Sequence, residues 1–201
     1  MKNVFIVGCG LLGSSLVRRM SKKKVAKKIF IYEKSKSNIS KIKRLRLPGT
    51  IVKSLKDGVI NSDLIIFCTP MSEYKNIILK INKNLTSKHI ITDIGSSKKR
   101  SSEIIKKNLK KNAFWISSHP ITGSEVSGPE HGKHDLFENK WCILIKDKKT
   151  NLKHLQFLNS FWKKMGSKIV LMNSDKHDKI FSITSHLPHL IAYNLVKSAQ
   201  D

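Results

Sequence analysis

An apolar run, Val4-Phe5-Ile6-Val7, opens directly into Gly8-Cys9-Gly10-Leu11-Leu12-Gly13, and a second apolar run from Ile29 to Tyr32 ends on Glu33. A strand, glycines in G-x-G-x-x-G spacing, a helix and an acid 20 positions after the last glycine constrain the fold more than any other feature. The spacing has a physical reason. Gly8 permits a tight turn off the strand, Gly10 bares the backbone to a pyrophosphate, and Gly13 lets the next helix pack close. That helix begins with unpaired N–H groups and the positive end of its dipole, so Leu11 and Leu12 join the glycines as expected cofactor contacts. Glu33 can accept hydrogen bonds from ribose hydroxyls and repels a 2′-phosphate, which favours NAD over NADP, although Lys34 and Lys36 stand beside it.

Strand and helix patterns alternate along the rest of the chain, as in a doubly wound sheet. Strands are expected at 3–8, 28–33, 50–53, 63–68, 89–94, 113–118, 140–146 and 168–172, with helices near 11–22, 35–46, 72–82, 98–109 and 151–165. Runs such as Leu64-Ile65-Ile66-Phe67 are apolar throughout, which fits a sheet covered on both faces. The fourth strand delivers Thr69 and Pro70 to the edge where ligands of open α/β sheets bind, and both are expected cofactor contacts. The expected fold is α/β: a Rossmann-type, mostly parallel sheet over residues 1–173. Residues 174–201 then read as the first helix of a second, all-α domain that continues past Asp201, the alternative being a C-terminal helix docked on the sheet or a dimer helix complete in itself. Ser174 is the expected N-cap of that helix, Pro188 should kink it, and its apolar content exceeds what one terminal helix can bury against a sheet.

Charge narrows the partners. Lys and Arg number 39 against 14 Asp and Glu, a formal net charge of +25. The arginines are Arg18, Arg19, Arg44, Arg46 and Arg100; the remaining cations are lysines spread along the whole chain without interleaved aromatics. That pattern argues against a nucleic-acid surface, which uses bidentate arginine and stacking rings. It leaves a positive field that attracts a small anionic substrate. No stretch reaches the roughly 20 apolar residues of a membrane span. Cys9, Cys68 and Cys142 share no metal-type spacing and read as reduced, mostly buried thiols of a cytoplasmic protein. His131 and His134 read as solvent-exposed loop residues, and the pair Trp141-Cys142 reads as strand core.

Three further segments place small hydroxyls or histidine at the ends of apolar elements: Asp93-Ile94-Gly95-Ser96-Ser97-Lys98, His119-Pro120-Ile121-Thr122-Gly123-Ser124-Glu125 and Ser185-His186-Leu187-Pro188-His189. Together with the glycine fingerprint and Leu136-Phe137-Glu138-Asn139-Lys140-Trp141, they resemble, in order and over the whole chain, the prephenate and arogenate dehydrogenases of tyrosine biosynthesis. The resemblance implies NAD-dependent oxidative decarboxylation, with hydride leaving C4 of a cyclohexadienol ring. It carries the catalytic histidine onto His119 and the serine that orients it onto Ser96. Substrate contacts fall on Ser185, His186, His189, Thr122 and Ser124, and Asp93 joins the cofactor contacts. No metal is required, because aromatisation drives the loss of CO2. The family holds a substrate carboxylate with an arginine further along its helical domain, expected beyond Asp201, and that region also implies a homodimer. Physically, hydride can leave only as the C4 hydroxyl loses its proton, so a neutral histidine with its usual pKa near 6.5 suits the acceptor. Two other readings stay open at this level: a different Rossmann dehydrogenase of the 3-hydroxyacid type, with Lys176 or Lys179 as catalyst, and a non-catalytic NAD-binding module.

Overall fold

A computed structural model describes residues 2–110 and 113–200. Strand β1 (Val4–Val7) feeds helix α1 (Leu11–Lys22), and the alternation continues through β2 (Ile29–Tyr32), α2 (Lys36–Arg44), β3 (Thr50–Ile51), α3 (Leu55–Ile60) and β4 (Leu64–Phe67). Helix α4 (Tyr74–Ile81), β5 (Ile90–Asp93), α5 (Lys99–Asn108) and β6 (Phe114–Trp115) complete a six-stranded sheet in the order β3-β2-β1-β4-β5-β6. All its pairings are parallel, with Val4 opposite Ile29 on one side and Leu64 on the other.

Alternation within these strands fills two cores. Val4 and Ile6 face Leu16, Val17, Met20 and Trp162, whereas Phe5 and Val7 face Tyr74, Ile78 and Ile105 on the opposite side. Each such side chain, fully withdrawn from water, contributes about 1.5–3 kcal/mol. The doubly wound parallel sheet expected from the sequence is therefore present, and its apolar-throughout strands are buried on both faces.

The structure departs from the expected elements in several places. The expected strand at 113–118 is two strands. The Ile116 N–H still reaches Ile91 of β5, at 3.0 Å. The Ser118 N–H instead goes to the Asp93 carboxylate at 3.2 Å, and the chain leaves the sheet there. It enters a separate three-stranded sheet, β7 (Ser118–Pro120), β8 (Trp141–Ile145) and β9 (Lys168–Met172), with β7 antiparallel and β9 parallel to β8. Helix α6 (Leu152–Lys164) joins β8 to β9. The short α3 is missed by the sequence pattern. It is started by the Ser54 hydroxyl accepting from Asp57 N–H, and Gly58 lets it press onto Phe5, where a Cβ would lie 2.2 Å from the ring.

Trp141 is 52% exposed beneath the Lys168 ammonium, so it is not core, while Cys142 beside it is buried. His131 is exposed and His134 half-buried, and all three cysteines are free thiols. Helix α7 (Ser174–Phe181) is capped by Asn173, whose side chain accepts from Lys176 N–H, with Ser174 as the first helical residue. Pro188 is accommodated by a π-turn, Ser182–His186, that runs into α8 (Leu187–Ser198). Large apolar side chains along α8, Leu190 and Leu195 among them, are exposed. No helix among the described residues is long and apolar enough to cross a membrane.

Candidate active site

The carboxyl ends of β1, β4 and β5 open onto a cavity of about 640 Å³. Its walls are Gly10–Leu12 of the glycine turn, Asn38 and Lys41 of α2, the 68–71 and 94–96 turns, His119 and the segment after β7. A neighbouring hollow of about 250 Å³ holds Gly8, Glu33, Thr69 and Pro70.

The glycine turn has the shape of a phosphate cradle. Gly8 sits at φ +91°, and a Cβ on Gly13 would lie 2.3 Å from the Gly8 carbonyl, so both positions need glycine. Above Gly10 no heavy atom lies within 4 Å of where a Cβ would be. No side chain caps α1, and no acid occupies its first turn, so its leading N–H groups face open space. The Thr69 Oγ1 is buried at the same edge without a hydrogen-bond partner. The Glu33 carboxylate is fixed by Cys9 N–H at 2.8 Å and Ser35 N–H at 2.9 Å. An uncapped helix start, a bare backbone, an unpartnered hydroxyl and an anchored acid fit a dinucleotide.

His119, at the centre of β7, is the end of a relay. Its Nδ1 lies 2.8 Å from His177 Nε2, and His177 Nδ1 lies 2.7 Å from Asp178 Oδ1. His177 is completely buried and stacks on Phe181, which meets the His119 ring edge-on. Burial raises the Asp178 pKa, but hydrogen bonds from Lys99 N–H, His177 and Lys98 N–H outweigh it and hold the carboxyl below its ordinary range. Burial pulls His177 down despite Asp178.

These states settle the tautomers. An ionised Asp178 can only accept, so His177 donates from Nδ1 and keeps a lone pair on Nε2. His119 therefore donates its Nδ1–H to His177, and its own Nε2 is left as a bare acceptor on a residue that lines the cavity. Burial, then the charge of Lys98, then His177 and His186 pull the His119 pKa down to about 3.

A pH prediction follows with its sign. Because the folded value lies below the ordinary 6.5, the neutral imidazole stabilises the fold above about pH 6.5, and that stability drains away as pH falls toward about 3. In NMR spectra the His119 ring resonance, assigned by its loss in His119→Asn, is expected not to titrate between about pH 8 and pH 5. A midpoint near 6.5 would show that the ring is solvated.

Beneath His119 lies a buried ion pair. Lys98 is completely buried and spends all three ammonium protons, on Asp93 Oδ2 (2.7 Å), Ser118 O (2.8 Å) and Ser117 Oγ (3.1 Å). Asp93 also accepts from Ser117 Oγ–H (2.6 Å), Tyr74 O–H (3.1 Å), Gly95 N–H and Ser118 N–H. Burial drives the Lys98 pKa down while Asp93 pulls it up, and burial pushes Tyr74 above its ordinary value. The expectation that Asp93 touches the cofactor is corrected here: its side chain has no exposure and forms the floor under the cavity.

The other expected residues divide. Ser96, Thr122 and Ser124 line the cavity. Ser96 is exposed, and the described partner of His119 Nδ1 is His177. Thr122 Oγ1 donates to Leu136 O at 2.9 Å, and Ser124 to Glu125. His189 Nδ1–H donates to the Ser185 backbone carbonyl at 2.6 Å, and neither residue is in the cavity wall. His186 is close enough for its charge to act on His119.

Sequence reading missed His177 and Asp178, although the His-Asp pair directly after a strand and an N-cap was a usable signal. Asp178 also accepts Lys98 N–H (2.8 Å) and Lys99 N–H (2.9 Å). It thereby caps α5, whose own N-cap residue offers no side-chain hydrogen bond.

Residues 16–171 match the family model for the prephenate dehydrogenase nucleotide-binding domain, and residues 173–201 match that for the prephenate dehydrogenase dimerization domain. The chain is 31% identical over 195 residues to the cyclohexadienyl dehydrogenase of Zymomonas mobilis, covering 97% of this chain and 66% of that protein. It is 27% identical to the prephenate dehydrogenase of Bacillus subtilis, covering 96% of this chain and 52% of that one. It thus spans between about half and two thirds of these relatives. A crystal structure of prephenate dehydrogenase from Aquifex aeolicus, in complex with hydroxyphenyl propionate and NAD+, superposes with a TM-score of 0.90 at 31% identity, covering 98% of this chain and 69% of that one.

Proposed function

Because this chain belongs to the prephenate dehydrogenase family, we propose that it carries the NAD site and catalytic histidine of an enzyme that oxidatively decarboxylates prephenate or arogenate. One observation carries the reading: the relay from Asp178 through His177 leaves His119 Nε2 as a bare, neutral acceptor in the cleft beside the glycine turn.

Gly8, Gly10, Leu11, Leu12 and Gly13 would hold the pyrophosphate, with Thr69 and Pro70 at the nicotinamide side and Glu33 on the ribose, so that NAD is preferred to NADP. NAD, when bound, accepts the hydride from C4. His119 Nε2 takes the proton of the C4 hydroxyl, and His177 and Asp178 stabilise the resulting imidazolium. The surplus of lysine draws in the anionic substrate. Ser96, which lines the cavity, remains the proposed serine beside His119 and the nicotinamide, and Thr122, Ser124, Ser185, His186 and His189 remain proposed substrate-side groups. The exposed apolar face of α8 lies inside the segment matching the dimerization domain and supports a homodimer. The free thiols Cys9, Cys68 and Cys142 suit a reducing cytoplasm.

The test is direct. With NAD supplied to the intact protein, NADH absorbance is expected to rise with prephenate or arogenate and not with 3-hydroxyacids, and NADP should serve less well. Bound NAD with no NADH from either substrate would remove the assignment.

A further inference from the structure

Between β7 and β8 the segment Gly123–Lys133 runs back over α1 and α2 and forms one side of the cavity through Gly123, Ser124 and Val126–Gly128. Its backbone is pressed onto the helix that begins the phosphate cradle. A Cβ on Gly132 would fall 2.1 Å from Ser14 Oγ. Lys133 N–H donates to Ser15 Oγ at 3.0 Å, and Arg18 Nη2 donates to Pro129 O at 3.2 Å. On the α2 side, Lys41 pairs with Glu130 of this segment, the two side chains being 33% and 28% exposed. Glu130 is aimed by its neighbour: Gly128 sits at φ +104°, where a Cβ would lie 2.5 Å from Glu130 Oε2. That oxygen is buried without a hydrogen-bond partner, so the carboxylate is committed to Lys41 through its other oxygen.

We infer that Lys41 and Glu130 form a latch holding this strap over the cofactor cleft, and that the latch governs how long a dinucleotide stays bound. The inference rests on the dinucleotide reading of the cleft. Lys41 and Gly128 both line the cavity and Glu130 stands two residues past Gly128, so the α2 wall and the strap are tied by a charge pair beside the cavity. The strap's other ties, at Ser15 and Arg18, lie along α1 and leave the α2 side free to lift when the pair opens. A partly exposed pair is weak enough to open at each release and sensitive to salt. Its effect therefore falls on the dissociation rate more than on encounter.

The experiment is stopped-flow release of NADH from the full chain, carrying E130Q, K41M, both, or neither. Release is expected to be roughly fivefold faster in each single variant and no faster in the double, as for two ends of one interaction. The unmodified protein should approach the variants as salt is raised. The charge-reversed pair K41E/E130K keeps the tie and should return to within about twofold of the unmodified rate, which separates the latch from general damage to the strap. Unchanged release in E130Q would overturn the latch. Slower release would overturn it too, by showing that Lys41, once freed, holds the cofactor itself. If the unmodified chain binds no NADH, the dinucleotide reading falls and takes the latch with it; if it binds and the variants match it, the latch alone falls.

Discussion

Replacing His119 with asparagine is expected to lower kcat in the intact protein by roughly 10²–10⁴, the usual contribution of a positioned general base, with NAD affinity unchanged. Asparagine is chosen because its amide nitrogen can stand where Nδ1 stands and still donate to His177, while nothing replaces Nε2. The variant therefore removes the proton acceptor and keeps the relay beneath it. A matching loss in kcat/KM would place the missing interaction in the transition state rather than in ground-state binding. The measurement is steady-state NADH formation at saturating cofactor. A variant that turns over at the normal rate would end the assignment of His119, and Lys176 or Lys179 would return as candidates. Replacing His177 with asparagine tests the relay separately: the ring of His119 loses its fixed tautomer but keeps Nε2, so a smaller loss is expected than in His119→Asn, with an altered pH profile.

The largest expected effect on stability is at Lys98. Changing it to methionine keeps the volume and removes the charge, leaving Asp93 ionised in a site with no exposure. Breaking a buried pair by removing one partner costs about 3–5 kcal/mol, because the remaining charge has lost its compensation. For a chain of this size each kcal/mol lowers Tm by about 2–4 °C, so a fall on the order of 10 °C is expected by calorimetry. The double change Lys98→Met with Asp93→Asn should recover part of the loss, since a neutral amide is cheaper to bury than an unpaired carboxylate. Lys98→Met should also raise the pKa of His119, whose depression owes its second-largest cause to the Lys98 charge. A Tm within about 2 °C of the parent would mean that water reaches the pair. The two predictions are linked, because the charge of Lys98 in that ion pair also lowers the pKa of His119.

Much of the cofactor half of the site was legible from the chain alone. Strand, glycine turn, helix and acid occupy one local stretch, and the chemistry of a dinucleotide acts on backbone groups whose positions follow from that stretch. His119 was legible because its flanking residues resemble a known family. Asp93 was misplaced for a physical reason. Its position at a strand's carboxyl end is where ligands bind, yet whether a side chain there turns toward the ligand or into the floor depends on Lys98, Ser117 and Tyr74, which arrive from separate turns and helices. The same carboxylate accepts the Ser118 N–H where the chain leaves the parallel sheet.

Local sequence therefore determined the parallel six-stranded sheet and the phosphate cradle, because hydrophobic periodicity and glycine φ freedom act within a few residues. Tertiary structure alone decided which partner orients His119. His177 lies 58 positions away, and its hydrogen bond exists because α7 docks on α5 through the Asp178 carboxylate. No periodicity records that contact, since it depends on His177 Nδ1, Lys98 N–H and Lys99 N–H from two separate helices meeting at one carboxylate.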